Sequence, residues 1–123
     1  MSHPAAILYY SGLIPGSQLA NRLQDLGYRV QVLVDVAGLV EICQKEKPLL
    51  AVVEIVPGGS ALAAITQLRK DPATQHIPVL GYSTVQDPAH LHQAQISGVS
   101  LLAGTAAIAD HLPELLERVL QVD

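Results

Sequence analysis

Hydrophobic and polar positions switch repeatedly between a strand-like and a helix-like spacing along this chain. Ala5 to Tyr10 is apolar and partly aromatic and stops at Ser11-Gly12. Leu19, Leu23 and Leu26 then recur at helical spacing, and Gly27 supplies a natural C-cap. Tyr28 to Val34 sets Val30, Val32 and Val34 against Arg29, Gln31 and Leu33, as a more exposed strand would. Asp35 can cap a helix whose Leu39, Val40 and Cys43 share a face and which Pro48 ends. Leu49 to Val56 has seven apolar residues in eight, the pattern of a parallel strand covered on both faces, and is interrupted only by Glu54. After the Pro57-Gly58-Gly59 turn, Ser60 can cap a helix carrying Leu62, Ile65 and Leu68.

The second half repeats the scheme. Asp71-Pro72-Ala73-Thr74 reads as a turn and Ile77 to Tyr82 as a fourth strand. Asp87 as cap and Pro88 at the first position start a fourth helix, which carries Leu91 and Ile96 and ends on Gly98. Val99 to Ala103 is a short fifth strand. Asp110 can cap a last, fifth helix with Leu112, Leu115, Leu116, Val119 and Leu120 on its apolar face, and Pro113 fits its first turn. Five β-then-α units predict an α/β fold, a three-layer αβα sandwich of the flavodoxin-like (βα)5 type with parallel sheet order 2-1-3-4-5. The functional crevice of that fold lies above strands 1 and 3, where Glu54 ends its strand. Strand ends also reach solvent, so a carboxylate there has a bland reading as well.

At 123 residues the chain is expected to form one domain, residues 1–123. No apolar run approaches the roughly 18 residues a spanning helix needs. Met1-Ser2-His3-Pro4 lacks the basic-then-apolar order of a secretory leader, and the lone Cys43 suits a reducing compartment, so a cytoplasmic setting is expected. The net charge is −4, and the seven basic residues form no stripe that could neutralise phosphates. Nucleic acid and membrane are therefore not expected as partners.

Local chemistry motifs are few. His90 and His92 are two apart and face different sides of a helix, without a His or Cys at i+4; His3, His76 and His111 read as surface residues. Asp35 and Glu54 end strands separated by a third, roughly 9–10 Å apart, too far to share one metal. Pro57-Gly58-Gly59 lacks the Lys-Ser/Thr of a phosphate loop, and no Gly-x-Ser-x-Gly elbow is present. No cofactor and no metal site are expected.

Leu68-Arg69-Lys70-Asp71-Pro72-Ala73-Thr74-Gln75-His76-Ile77-Pro78-Val79, the Gly98-Val99 pair and the Leu115-Leu116-Glu117-Arg118-Val119 ending carry a family likeness. With them the chain resembles, over nearly its whole length, the CheY-like receiver domain of bacterial response regulators. The resemblance implies that Glu54 stands at the position of the phosphoaccepting aspartate, with Ser11 and Gly12 in place of the acidic pair that holds Mg²⁺. One hydroxyl does not replace two carboxylates around a hard cation, and the longer side chain of Glu54 carries its acyl oxygen past the proper place. The family's lysine falls on Thr105 counted from Gly98, or on Ile108 counted back from the last helix, which implies about three inserted residues. Its switch aromatic corresponds to Leu102. Its Ser/Thr at the end of strand 4 corresponds to Ser83, with Thr84 adjacent, and this hydroxyl could bond Glu54 or simply finish the strand.

Phosphoryl transfer without metal or lysine lacks positioning and charge stabilisation. The expectation is a pseudo-receiver, not an enzyme, acting by protein–protein contact in a two-component or phosphorelay pathway. The rivals are a receiver still phosphorylated on Glu54 or Ser83, and a small-molecule sensor whose crevice is lined by Tyr10 and Ser11. Glu54 could mimic part of the charge of a phosphorylated form. The fourth helix, fifth strand and last helix could support a homodimer, with His90, His92, Gln93 and Gln95 on the fourth helix and Glu114, Glu117 and Arg118 at the rim.

Overall fold

The computed structural model describes residues 4–11, 13–56, 60–83 and 87–121, with the side chains of 13–15 excepted. Its strands are β1 (Ala5–Tyr9), β2 (Arg29–Leu33), β3 (Leu50–Glu54), β4 (Val79–Ser83) and β5 (Leu101–Gly104). Its helices are α1 (Leu13–Asp25), α2 (Leu39–Glu46), α3 (Ala61–Lys70), α4 (Pro88–Ser97), α5 (Thr105–Asp110) and α6 (Leu112–Gln121). The strands form one parallel sheet in the order β2-β1-β3-β4-β5. This is the flavodoxin-like arrangement that the alternating pattern predicts.

Each face of the sheet has its own core. Ile7, Ala51, Val53 and Val79 meet Leu39 and Cys43 of α2 and Ala61, Ala64, Ile65 and Leu68 of α3. Ala6, Leu8, Leu50, Val52, Leu80 and Tyr82 meet Leu19 and Leu23 of α1, Ile108 of α5, and Leu112, Leu115, Leu116 and Val119 of α6. β3 lies between β1 and β4 and is buried along its whole length, which is why its sequence is a continuous apolar run up to Glu54. Cys43 is buried in the first core, which pushes its thiol up to about 11. β2, at the edge, leaves Val32 partly exposed, and Val34 just beyond it is almost wholly exposed.

The turns explain the local sequence. α1 ends in a Schellman motif: Gly27 adopts φ +97, its N–H donates to Gln24 O, and the Tyr28 N–H donates to Leu23 O. Leu26 consequently belongs to the turn and is exposed, not a third core position of the helix. Asp35 caps a single 3₁₀ turn, Val36–Gly38, by accepting from the Ala37 N–H at 3.0 Å, and that turn leads into α2. Ser60 and Asp87 occupy the residues before α3 and α4, but neither side chain makes a capping bond.

The stretch from Leu68 to Val79 owes its composition to a clamp. Asp71 Oδ1 accepts from the Ala73 N–H at 2.9 Å, and the Thr74 hydroxyl donates to Leu68 O at 2.7 Å, so the turn is folded back on the end of α3. Arg69 then reaches across the start of two strands. Its Nη1 donates to Gln75 O at 2.8 Å and Ile77 O at 2.6 Å, its Nε to Gly98 O at 2.8 Å, and its Nη2 to Ser100 Oγ at 3.1 Å. That hydroxyl also accepts from the Val79 N–H at 3.1 Å. A planar guanidinium is the side chain that can serve these diverging acceptors together.

Two elements depart from the sequence expectation. Asp110 is the last residue of α5, not the cap of the final helix, which begins at Leu112. Residues 105–110 are therefore a short helix with Ile108 wholly buried. In α4 the buried residues are His90, Ala94 and Ser97, while Ile96 is 71% exposed. Leu91 and Ile96 are five apart and cannot share a helix face.

Candidate functional site

Glu54 ends β3 between the ends of β1 and β4, facing the same side of the sheet as Val52 and Tyr82. It is only 7% exposed. A carboxylate there requires hydrogen-bond donors, because burial of a charged group is otherwise strongly unfavourable. Ser11, two residues beyond β1, supplies two. Its N–H donates to Oε1 at 2.9 Å and its hydroxyl donates to Oε2 at 3.0 Å, so the residue grips both carboxylate oxygens. The phenol of the fully buried Tyr82 donates to Oε1 at 3.4 Å. Burial first, and then the negative charge and hydrogen bond of Glu54, push that phenol far above its usual range.

Ser83 follows Tyr82 and so points to the opposite side of the sheet, toward α4. Its hydroxyl lies 3.1 Å from Nε2 of His90, and both residues are buried. His90, expected from sequence on the possible homodimer face of the fourth helix, is thus an interior residue. The signal was its position four and seven residues before Ala94 and Ser97, one continuous helix face.

Of the remaining expected positions, Thr105, Ile108 and Leu102 are described. Thr105 is the first residue of α5, directly after β5, and its Oγ1 is buried with no hydrogen-bond partner among the described residues. Ile108 packs in the same core as Tyr82. Leu102 is half-buried on the α4 side, against the first core. Gly12 and Thr84 lie outside the described residues, as do His3 and the Pro57-Gly58-Gly59 turn.

The group that the family resemblance implies here is Mg²⁺, and the donor set does not fit it. A hard cation takes oxygen lone pairs from carboxylates, whereas Ser11 turns its two hydrogens on Glu54. Among the described residues no three of His, Cys, Asp and Glu come together. The hydrogen bonds described for Glu54 come from neutral donors, and α5 carries the neutral Thr105 and the buried, apolar Ile108. Among the described residues the arrangement holds a carboxylate in place.

A shifted phenol makes stability depend on pH. Tyr82 holds its proton more tightly folded than unfolded, so its contribution is fully present below the unfolded value, about 10, and is lost as pH rises above that. Cys43 acts in the same direction from a lower pH. Tyr82→Phe is expected to cost about 1 kcal/mol near neutrality, from the lost hydrogen bond, and to flatten the alkaline loss seen in wild type. Urea unfolding at a series of pH values measures both, and an alkaline loss as steep in the variant as in wild type would refute the assignment.

No protein-family model and no curated protein sequence matches the chain. Solved structures do match it. CheY4, a chemotaxis response regulator of Vibrio cholerae, superimposes with a TM-score of 0.82 at 17% identity, over 96% of this chain and 99% of its own. The BeF3-activated N-terminal receiver domain of Klebsiella pneumoniae RstA gives 0.81 at 18% identity, over 95% and 98%. A response regulator from Desulfuromonas acetoxidans gives 0.79 at 22% identity, over 95% and 96%. The chain therefore has the CheY-like receiver fold of two-component response regulators.

Proposed function

We propose that this chain is a pseudo-receiver: a signalling module that works through contact with protein partners in a two-component or phosphorelay pathway, without accepting a phosphoryl group. The observation that carries the reading is the grip of Ser11 on both oxygens of Glu54. A phosphoacceptor must present a free carboxylate oxygen to the incoming phosphorus beside a cation that neutralises the developing charge. Here the oxygens are already engaged by protein donors, and Ser11 stands where the family's acidic residues would gather the cation. Glu54 then contributes a fixed negative charge, weaker than the −1.5 to −2 or so of a phosphoryl group, at the point from which receivers signal.

Incubation with acetyl phosphate and Mg²⁺ tests this. Intact-mass and peptide spectra recorded under conditions that preserve acyl phosphates are expected to show no phosphoryl group on Glu54 or Ser83. Mg²⁺ alone, up to millimolar concentration, is expected to leave the amide resonances of Ser11 and Glu54 in place. A phosphoryl group on either residue, or saturable shifts at both, would overturn the proposal.

The face made by α4, β5 and α6 is a candidate for self-association. It carries the exposed Ile96 and the half-buried Leu101 and Leu102, with His92, Gln93 and Gln95 beside them and Glu114, Glu117 and Arg118 at the rim. His90, buried against Ser83, is not part of it. Contacts of this apolar and neutral kind respond little to salt, because screening acts mainly on exposed charges. Sedimentation velocity at low and high salt is expected to give the same monomer–dimer balance. A strict monomer at high micromolar concentration in both would leave heterologous partners alone.

A further inference from the structure

Arg69 is a cation whose described partners are all uncharged. Its Nε and Nη1 donate to the carbonyls of Gly98, Gln75 and Ile77, and its Nη2 donates to the Ser100 hydroxyl. A guanidinium has five N–H groups, and these four bonds leave one, on Nη2, without an acceptor among the described residues. The ion pair found among those residues is elsewhere, between Arg29 and Glu46. Arg69 is half-buried, and burial pulls its pKa below the usual arginine value. A partly desolvated charge surrounded by dipoles but no counter-ion favours an anion.

Space for one is present. A cavity of about 600 Å³ opens beside Arg69 where β4 and β5 begin, at the end of the sheet opposite Glu54. Gln75, His76 and Ser100 form the polar part of its lining, and Pro78, Val99 and Leu120 the apolar part. A second cavity, of about 440 Å³, shares His76, Pro78 and Leu120 with the first and adds Lys47. Neither has an aspartate or glutamate in its described lining, although the chain carries eleven acids against seven bases. The positive character of this end is therefore local, against a net charge of −4. Small-molecule sites commonly enclose roughly 300–1,000 Å³ and combine apolar walls with a few polar groups, as the cavity beside Arg69 does.

We propose that this cavity binds a small organic acid, its carboxylate acting as counter-ion to Arg69 and its apolar body lying on Pro78, Val99 and Leu120. The single N–H left on the guanidinium suits one carboxylate oxygen better than a phosphate, whose several oxygens call for several donors. The apolar wall favours an organic acid over an inorganic anion, because burial of the ligand body adds to the pairing of charge. The site lies at the far end of the sheet from Glu54 and is independent of whether that residue accepts a phosphoryl group.

Titration of the isotope-labelled whole chain with sodium benzoate, followed by NMR at an ionic strength held constant with sodium chloride, tests it. The amide resonances of Gln75, His76, Val99 and Ser100 and the Nε–H resonance of Arg69 are expected to shift saturably, with a Kd on the order of 1 mM for a ligand of this size. Those of Ser11 and Glu54 should stay in place. Benzamide, which has the same shape without the charge, is expected to bind at least about tenfold more weakly. His76 is exposed, so its replacement spares the core. His76→Glu puts a carboxylate into the lining and is expected to weaken benzoate binding at least about tenfold, whereas His76→Gln, which adds no charge, should keep most of it. No saturable shift at these residues, benzamide or inorganic phosphate binding as tightly as benzoate, or a loss as large in His76→Gln as in His76→Glu would each overturn the proposal.

Discussion

A carboxylate enclosed at the end of a central parallel strand can persist only if its neighbours supply donors in the right places, and this requirement organises the upper end of the sheet. β3 is flanked by β1 and β4, so the residues just past β1 and along β4 are the ones within reach of Glu54. Ser11 and Tyr82 fill those places. The order β2-β1-β3-β4-β5 is thus more than a topology label. It brings the end of β1 beside the end of β3 and so makes the two-point grip possible.

The sheet also keeps the chemistry of its two faces apart. Glu54 and Tyr82 look toward α1, α5 and α6; Ser83 looks toward α4 and meets His90. The short helix α5 fills the first side with Ile108 and leaves the hydroxyl of Thr105 buried without a partner among the described residues, an arrangement that costs stability. The hydrogen bonds described for Glu54 come from neutral donors.

Most of the fold was legible because its strands and helices obey simple periods. The apolar run of β3 and its single acid, the Gly27 cap and the Leu112–Leu120 face each needed only local reading. The Asp71-Pro72-Ala73-Thr74 turn was legible too, but the reason for Arg69 before it was not, since its four acceptors lie up to 31 residues away. α5 was missed although Thr105-Ala106-Ala107-Ile108-Ala109-Asp110 is rich in the best helix former; Asp110 resembled a cap more than a helix end. α4 was turned the wrong way because Leu91 and Ile96 were weighed by hydrophobicity, whereas only the face of His90, Ala94 and Ser97 is small and polar enough to meet Ser83. For the site, Glu54 and Ser11 could be named from the pattern and the family likeness, but their mutual bonds and the His90 contact depend on which way side chains turn.

The central claim, that Ser11 holds Glu54 in place of a cation and a phosphoryl group, is tested most directly by a crystal structure determined with saturating Mg²⁺ and beryllofluoride, the group that activates the Klebsiella receiver. The account predicts no adduct, with both oxygens of Glu54 still bonded to the Ser11 N–H and hydroxyl. A beryllofluoride group on Glu54, with the carboxylate turned away from Ser11 toward a bound Mg²⁺, would contradict it.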